Sequence, residues 1–217
     1  EKLKRESLKI KNFLNSKGAK FIISYFDEGV KFDRMWKLSH SDLILKDLKA
    51  LLKLVIENND FGLIVKPQFI NNKPSEIFKK DNILEIALKT GRYIELVEGS
   101  NRNNFLPAQS ALASDLSIGY YFGGTACLES ALAGVKTVML NPHNNQGNFD
   151  DIFRNREIVF NDIKEVIKMI SESHKKNCLD VPFNNWKEII KHFVSLEKKE
   201  KIKIEDIIES KLDARKN

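Results

Sequence analysis

Residues 114–143 read SDLSIGYYFGGTACLESALAGVKTVMLNPH, and this stretch decides the fold. Leu116 to Tyr120 is a short apolar run suited to a buried strand. A Gly123-Gly124-Thr125 turn follows, then a small-residue helix from Ala126 to Ala133, a stop at Gly134, and a second apolar strand from Thr137 to Leu140. Strand, turn, helix and strand within about thirty residues is the size of a βαβ crossover. Paired glycines let the backbone approach a ligand closely. The helix behind them aims its unpaired N–H groups and positive dipole end at the same place. A phosphate or diphosphate suits that position. Glu129 lies one turn further along the helix, where a carboxylate accepts hydrogen bonds from a ribose. The stretch carries neither a Walker lysine motif nor a GxGxxG.

The same alternation continues on both sides. Toward the amino terminus, Lys20 to Tyr25 is a continuous apolar run between glycines, as in a strand buried on both faces. Ser41 to Glu57 repeats leucines at helical spacing, with Ser41 or Asp42 as the expected N-cap. Gly62 to Val65 is the second strand, stopped by Pro67; Ser75 to Lys89 is a helix ended by Gly91; Arg92 to Val97 is the third strand. Pro107 to Ala113 makes a short helix before the quoted unit. Beyond it, Glu157 to Phe160 is a sixth strand, and Asp162 to Ser173 an amphipathic helix with a capping box of Asp162 and Glu165. Short apolar strands alternating with helices predict an α/β fold: an open parallel sheet of about six strands with helices on both faces. Glu1 to Lys17 reads as a helix or linker leading in. Trp186, Ile189, Ile190, Phe193 and Val194 give a packing helix near the other end, followed by a Lys/Glu tail.

With 217 residues and 42% hydrophobic composition, the chain can bury one good core. No apolar run approaches the ~18 residues of a membrane span. There is no secretory signal pattern, and a start at Glu1 suggests an excised piece of a longer protein. Cys127 and Cys178 have no metal-ligand spacing, and a buried thiol in a reducing compartment fits Cys127. The net charge of +6 comes largely from lysines between positions 164 and 203. Acidic residues are interleaved with them and the arginine–aromatic mixture of a nucleic-acid groove is missing, so a solvated helical face is the favoured reading. Loose attraction to anionic lipid is compatible with the charge.

In an open parallel sheet, ligands bind at the carboxyl ends of the strands. The loops there carry Asp27 and Glu28 after the first strand, Lys66-Pro67 after the second, and Glu98 to Arg102 after the third. Gly123-Gly124-Thr125 follows the fourth, and Asn141 to Gln146 with His143 the fifth. This rim offers a phosphate-binding lysine, a glycine turn, amides and a histidine. It has no metal cluster and no nucleophile–His–Asp set. Asp27 and Glu28 are adjacent and point apart, so they make a poor acid–base pair; His143 and Asp27 are the residues available for a catalytic role.

The string ASDLSIGYYFGGTACLESALAGVKTVMLNPH resembles the nucleotide-sugar half of GT-B glycosyltransferases and of the related UDP-sugar 2-epimerases, in which an A-D-x-x-I…G…E-A-x-x-x-G-x-P pattern spans the same elements. Transferases of bacterial surface-polysaccharide biosynthesis are the most similar in flavour. Lys66-Pro67 is similar to the strand-end lysine or His-Pro pair of that group, and Leu96 to Asp115 to its base-contacting loop and short helix. The chain departs from the pattern at Lys136-Thr137, where the family commonly has a proline. The resemblance covers about residues 20–175.

The resemblance implies that Gly123, Gly124, Thr125 and Lys66 hold the donor phosphates and Glu129 the ribose. Backbone from Val97 to Phe105, with Asn104 and Phe105, would contact the base, and His143, Asn145 and Gln146 would lie near the sugar. It implies a cytoplasmic transferase, at most peripheral to the inner membrane face, that takes a nucleotide sugar as substrate and requires no cofactor or metal. It also implies a second, N-terminal acceptor domain that this chain lacks, so the chain alone would bind donor without transferring it. The expected division is 1–19 as the leading helix or linker, 20–176 as a Rossmann-like nucleotide-sugar-binding domain, and 177–217 as the packing helix and tail. Half of an epimerase, or a non-catalytic binding or scaffold domain of the same fold, are the alternatives.

Overall fold

A computed structural model describes residues 2–27, 40–70, 73–78, 81–100, 103–121, 124–144, 158–176, 186 and 189–191. Six strands, β1 (Phe21–Phe26), β2 (Phe61–Lys66), β3 (Tyr93–Glu95), β4 (Leu116–Tyr120), β5 (Lys136–Leu140) and β6 (Val159–Phe160), form one sheet. Its order is β3-β2-β1-β4-β5-β6 and every pairing is parallel. This is a Rossmann-like doubly wound sheet. Order along the sheet reverses between β1 and β4, which sit side by side through Ile23 and Leu116.

Helices cover both faces. On one lie α2 (His40–Glu57), α3 (Pro74–Ile77), α4 (Asn82–Lys89) and α7 (Ile163–Lys175); on the other lie α1 (Lys2–Ser16), α5 (Pro107–Leu112) and α6 (Thr125–Leu132). Alternate residues of the strands divide between the faces. Phe21, Ile23, Tyr25, Leu63, Val65, Leu116 and Ile118 pack with Ile44, Leu48, Leu51, Leu52 and Val55 of α2 and with Ile163, Val166 and Ile170 of α7. Ile22 and Ile64 face Leu14 of α1 and Ala113 beyond α5. Every residue of β1 and β4 is buried. That two-sided burial is why these segments read as unbroken apolar runs.

The helix α6 sits unusually close to the sheet. Gly119 of β4 is the reason: a Cβ there would come within 2.7 Å of Cys127 Sγ. Ser24, Ser117 and Thr137 stand in register across β1, β4 and β5 on this face, and small side chains let the helices approach. Among the described residues the buried Ser117 hydroxyl has no hydrogen-bond partner.

The leading segment is a helix that belongs to the domain. Ser7 Oγ donates to the Gln109 carbonyl at 2.8 Å, and Lys11 pairs with Asp115 at 2.7 Å. The second carboxylate oxygen of Asp115 accepts from Ile22 N, fastening α1 to β1. Helices α1 and α5 therefore run in the same direction, and α1 ends at the amino edge of the sheet, where β1 begins. At the other end, Trp186 donates its indole N–H to the Thr137 carbonyl at 2.7 Å and packs with Ile189 against Cys127, Ala131 and Met139. Phe193, Val194 and the tail lie outside the described residues.

Four local expectations are corrected. The helix expected over Ser75 to Lys89 is two helices, α3 and α4, because the Asp81 carboxylate caps a fresh start by accepting from Ile83 N at 3.2 Å. Neither Ser41 nor Asp42 is the N-cap of α2, which already includes His40. Asp162 does cap α7, but through Lys164 N and with an ion pair to Lys46, so the reciprocal box with Glu165 does not form. The third strand is also shorter than Arg92 to Val97. The Arg92 guanidinium is drawn under the sheet to the Asn58 and Phe61 carbonyls, and Leu96 N pairs with Val65 just past the ladder.

Candidate functional site

Lys66 ends β2, Asp27 follows β1, and Glu129 projects from α6, so three charged groups from different elements meet at the carboxyl edge beside the β1–β4 reversal. The Lys66 side chain is half-buried. Loss of water pushes its ammonium below the ordinary lysine range, while Asp27 and Glu129 pull the other way. Among the described residues Lys66 makes no hydrogen bond and no ion pair within 4 Å. A desolvated cation flanked by carboxylates yet directly bonded to neither is well placed to meet an incoming anion.

Both carboxylates are anchored. Asp27, 8% exposed, accepts from Gln68 N at 2.6 Å and so ties the end of β1 to the loop after β2. Glu129 Oε1 accepts from Ala108 N at 3.0 Å. That bond supplies α5 with the cap its own sequence lacks, since Leu106 at the N-cap offers no side-chain acceptor and Pro107 follows it. Glu129 Oε2 accepts no hydrogen bond among the described residues and stays available.

Gly124 is the N-cap of α6 and brings no side chain of its own to that end. Its φ of −54° is ordinary, and a Cβ would point inward, 3.3 Å from Met139 Sδ and from the Tyr121 carbonyl. A Cβ at Gly124 would thus meet β5, and its absence lets the start of α6 settle onto that strand. Thr125 is exposed in the first helical turn. Gly123 lies outside the described residues.

The loop after β3 is ordered by a residue the sequence reading did not single out. The side-chain amide of Asn103 donates to the Leu96 and Pro67 carbonyls and accepts from Glu98 N and Phe105 N. Phe105 packs half-buried against the cluster that includes Leu96 and Ile64, while Asn104 is exposed and its side chain makes no hydrogen bond among the described residues. His143 is exposed in a turn after β5 that closes through Asn144 N and the Asn141 carbonyl. Asn145 and Gln146 lie outside the described residues.

A second polar cluster, also unforeseen, lies beneath this edge on the α2 face. Asp47 of α2 accepts from the Tyr120 phenol, which in turn accepts from the Tyr25 phenol at 3.3 Å. The signal was present: Ile44, Asp47, Leu48 and Leu51 share one helical stripe, and a carboxylate within such a stripe demands a buried donor.

A cavity of about 870 Å³ between α2 and α4 is lined by Leu45 and Phe78 with Lys46, Lys49 and Asp81, and one of about 310 Å³ opens at the amino edge beside Lys20 and Lys136. Neither contains Lys66 or Glu129. No group of His, Cys, Asp and Glu among the described residues could hold a metal ion, and no described helix is long and apolar enough to cross a membrane. In comparisons with known proteins, no family model matches the chain, and no curated protein matches it significantly.

Proposed function

We propose that the chain is the nucleotide-sugar-binding domain of a glycosyltransferase of the GT-B type, acting in surface-polysaccharide synthesis as one half of a two-domain enzyme. The observation that carries this reading is Lys66: a half-buried ammonium, unpaired among the described residues, at the carboxyl edge near the β1–β4 reversal where doubly wound sheets take their ligands. Lys66 and the start of α6 would oppose the charge that collects on the nucleotide's phosphate as the glycosyl bond breaks. That role asks for no metal. Glu129 Oε2 is the group for a ribose hydroxyl, and the Asn104–Phe105 loop for the base. His143, Asn145 and Gln146 belong to the sugar's side of the site.

The acceptor and the base that deprotonates it would come from the partner domain. An epimerase half would need rim carboxylates free to move protons. Asp27 and Glu129 each hold a backbone N–H, which favours the transferase reading and makes Asp27 an anchor. The reading carries a cytoplasmic location with it, in at most loose contact with the inner membrane face.

Thermal unfolding with UDP, GDP, CDP, CMP and their sugar conjugates tests it. A ligand at ~100 times its Kd adds about 2.7 kcal/mol of stability. One nucleotide class should stabilise the wild type, and Lys66→Met, still folded, should lose that response. A wild type that answers to none of them sinks the proposal.

A further inference from the structure

The amide of Asn103 has a capacity of two donated and two accepted hydrogen bonds, and all four are used on backbone groups. Nδ2 donates to the Leu96 carbonyl at 2.5 Å and to the Pro67 carbonyl at 2.9 Å; Oδ1 accepts from Glu98 N and Phe105 N, both at 3.2 Å. Two carbonyls on one side and two N–H groups on the other leave a single orientation for the amide. Its own N–H donates to the Gln68 carbonyl at 3.3 Å, and Gln68 N donates to Asp27. One string of bonds thus joins the loops after β1, β2 and β3.

Asn104, one residue on, is held by its backbone N–H to the Glu98 carbonyl at 2.8 Å, and its side-chain amide is exposed. The two neighbouring asparagines therefore have opposite roles. Asn103 is spent on the loop, and Asn104 is presented by it. From the start of α6 to this loop is three strand spacings, β4 to β1 to β2 to β3, or roughly 14 Å along the edge.

Resting on the nucleotide-binding reading above, we infer that Asn103 is the positioning residue that sets base selectivity, by fixing the loop from which Asn104 reads the edge of the base. A base is told apart from its competitors by hydrogen bonds at a few fixed points, and such discrimination survives only while those points hold still. Lys66 is held by its own place in the β1–β2 ladder, opposite Phe26, so an anion at Lys66 and α6 meets no group of the β3 loop. Loss of Asn103 should therefore separate the two halves of recognition.

The test compares wild type, Asn103→Ala and Asn104→Ala by calorimetry with UDP, CDP, GDP, ADP and inorganic pyrophosphate. In Asn103→Ala the preferred nucleotide should weaken about tenfold and the spread among bases collapse, while pyrophosphate stays within about twofold of wild type. Asn104→Ala, an exposed change that leaves the loop's fastening in place, should lose the same preference and serves where Asn103→Ala fails to fold. A base preference unchanged in both variants overturns the inference and leaves the functional reading standing. So does a parallel loss of pyrophosphate and nucleotide in Asn103→Ala, which marks general loosening. A wild type that binds no nucleotide overturns both.

Discussion

The carboxylate of Asp47, buried beneath α2, accepts a hydrogen bond from the phenol of Tyr120, the last residue of β4. Tyr25 completes the chain from β1, its ring edge-on to that of Tyr120 at 6.4 Å between centroids. Burial pushes both phenols well above their ordinary range, so they act as donors throughout accessible pH. Burial also raises Asp47 from 3.8 to about 6; the Tyr120 hydrogen bond offsets part of that effect, and nearby Asp162 adds to it.

The direction of this shift fixes a pH dependence. Between 3.8 and about 6 the folded chain holds a proton on Asp47 that the unfolded chain has released, so stability contributed by this group falls as pH rises through that window. About two units at ~1.4 kcal/mol each bound the penalty near 3 kcal/mol above pH 6. Asp47→Asn keeps an acceptor for Tyr120 and removes the ionisation. In urea titrations the variant should gain on wild type from pH 4 to about pH 6 and the difference then level off; a difference that does not vary with pH would dismiss the buried-carboxylate account.

Tyr120→Phe removes the donor and strands a buried acceptor, at a cost of about 1–3 kcal/mol. In the Asp47→Asn background the same substitution should cost less, because a neutral amide suffers less from losing its partner. Chemical denaturation of the two singles and the double gives the coupling.

Gly119→Ala would place a methyl 2.7 Å from Cys127 Sγ. The helix α6 must move off the sheet to admit it, and overpacking of this kind costs about 1–3 kcal/mol. Cys127→Ala removes the sulfur and should rescue part of the loss. Stability of the double mutant equal to the sum of the singles would show that the contact is not the cause.

Glu129→Ala should act twice. Removing the cap on Ala108 N should lower stability by about 1 kcal/mol. Losing Oε2 should weaken ribonucleotides while leaving 2′,3′-dideoxy analogues, which lack the hydroxyls, nearly unaffected. Equal losses for both ligand types would assign Glu129 to α5 alone.

How much was legible in the sequence depended on how local the cause was. β1, β2, β4 and β5 showed themselves as apolar runs because each lies between two helical layers, and Gly134 and Gly91 marked their helix ends. The break at Asp81 was hidden, since Leu84 and Ala87 continue a helical spacing across it and only the carboxylate's choice of Ile83 N decides the matter. Lys66 and Glu129 were legible as rim residues. The anchoring of the two carboxylates was not, because Ala108 and Gln68 are brought to Glu129 and Asp27 by tertiary packing. Asn103 sat unnoticed in the run Asn-Arg-Asn-Asn: three of its side-chain bonds stay within seven residues, but nothing in composition separates it from Asn104. The contact that a Cβ at Gly124 would make with Met139 was hidden too, because β5 brings that side chain from fifteen residues further along the chain.

The direction of α1 bears on how this protein can be watched. Because α1 runs alongside α5 and finishes at the amino edge, its first turn stands level with the carboxyl edge, and Lys4 and Arg5 there are exposed. A fluorophore on Lys4→Cys in a Cys178→Ser background, with Cys127 of α6 buried, would report from beside the site on a labelled nucleotide without touching the rim. A bulky affinity tag at the same end would crowd that rim, whereas one attached through the amino-edge loop between α6 and β5 would leave it clear.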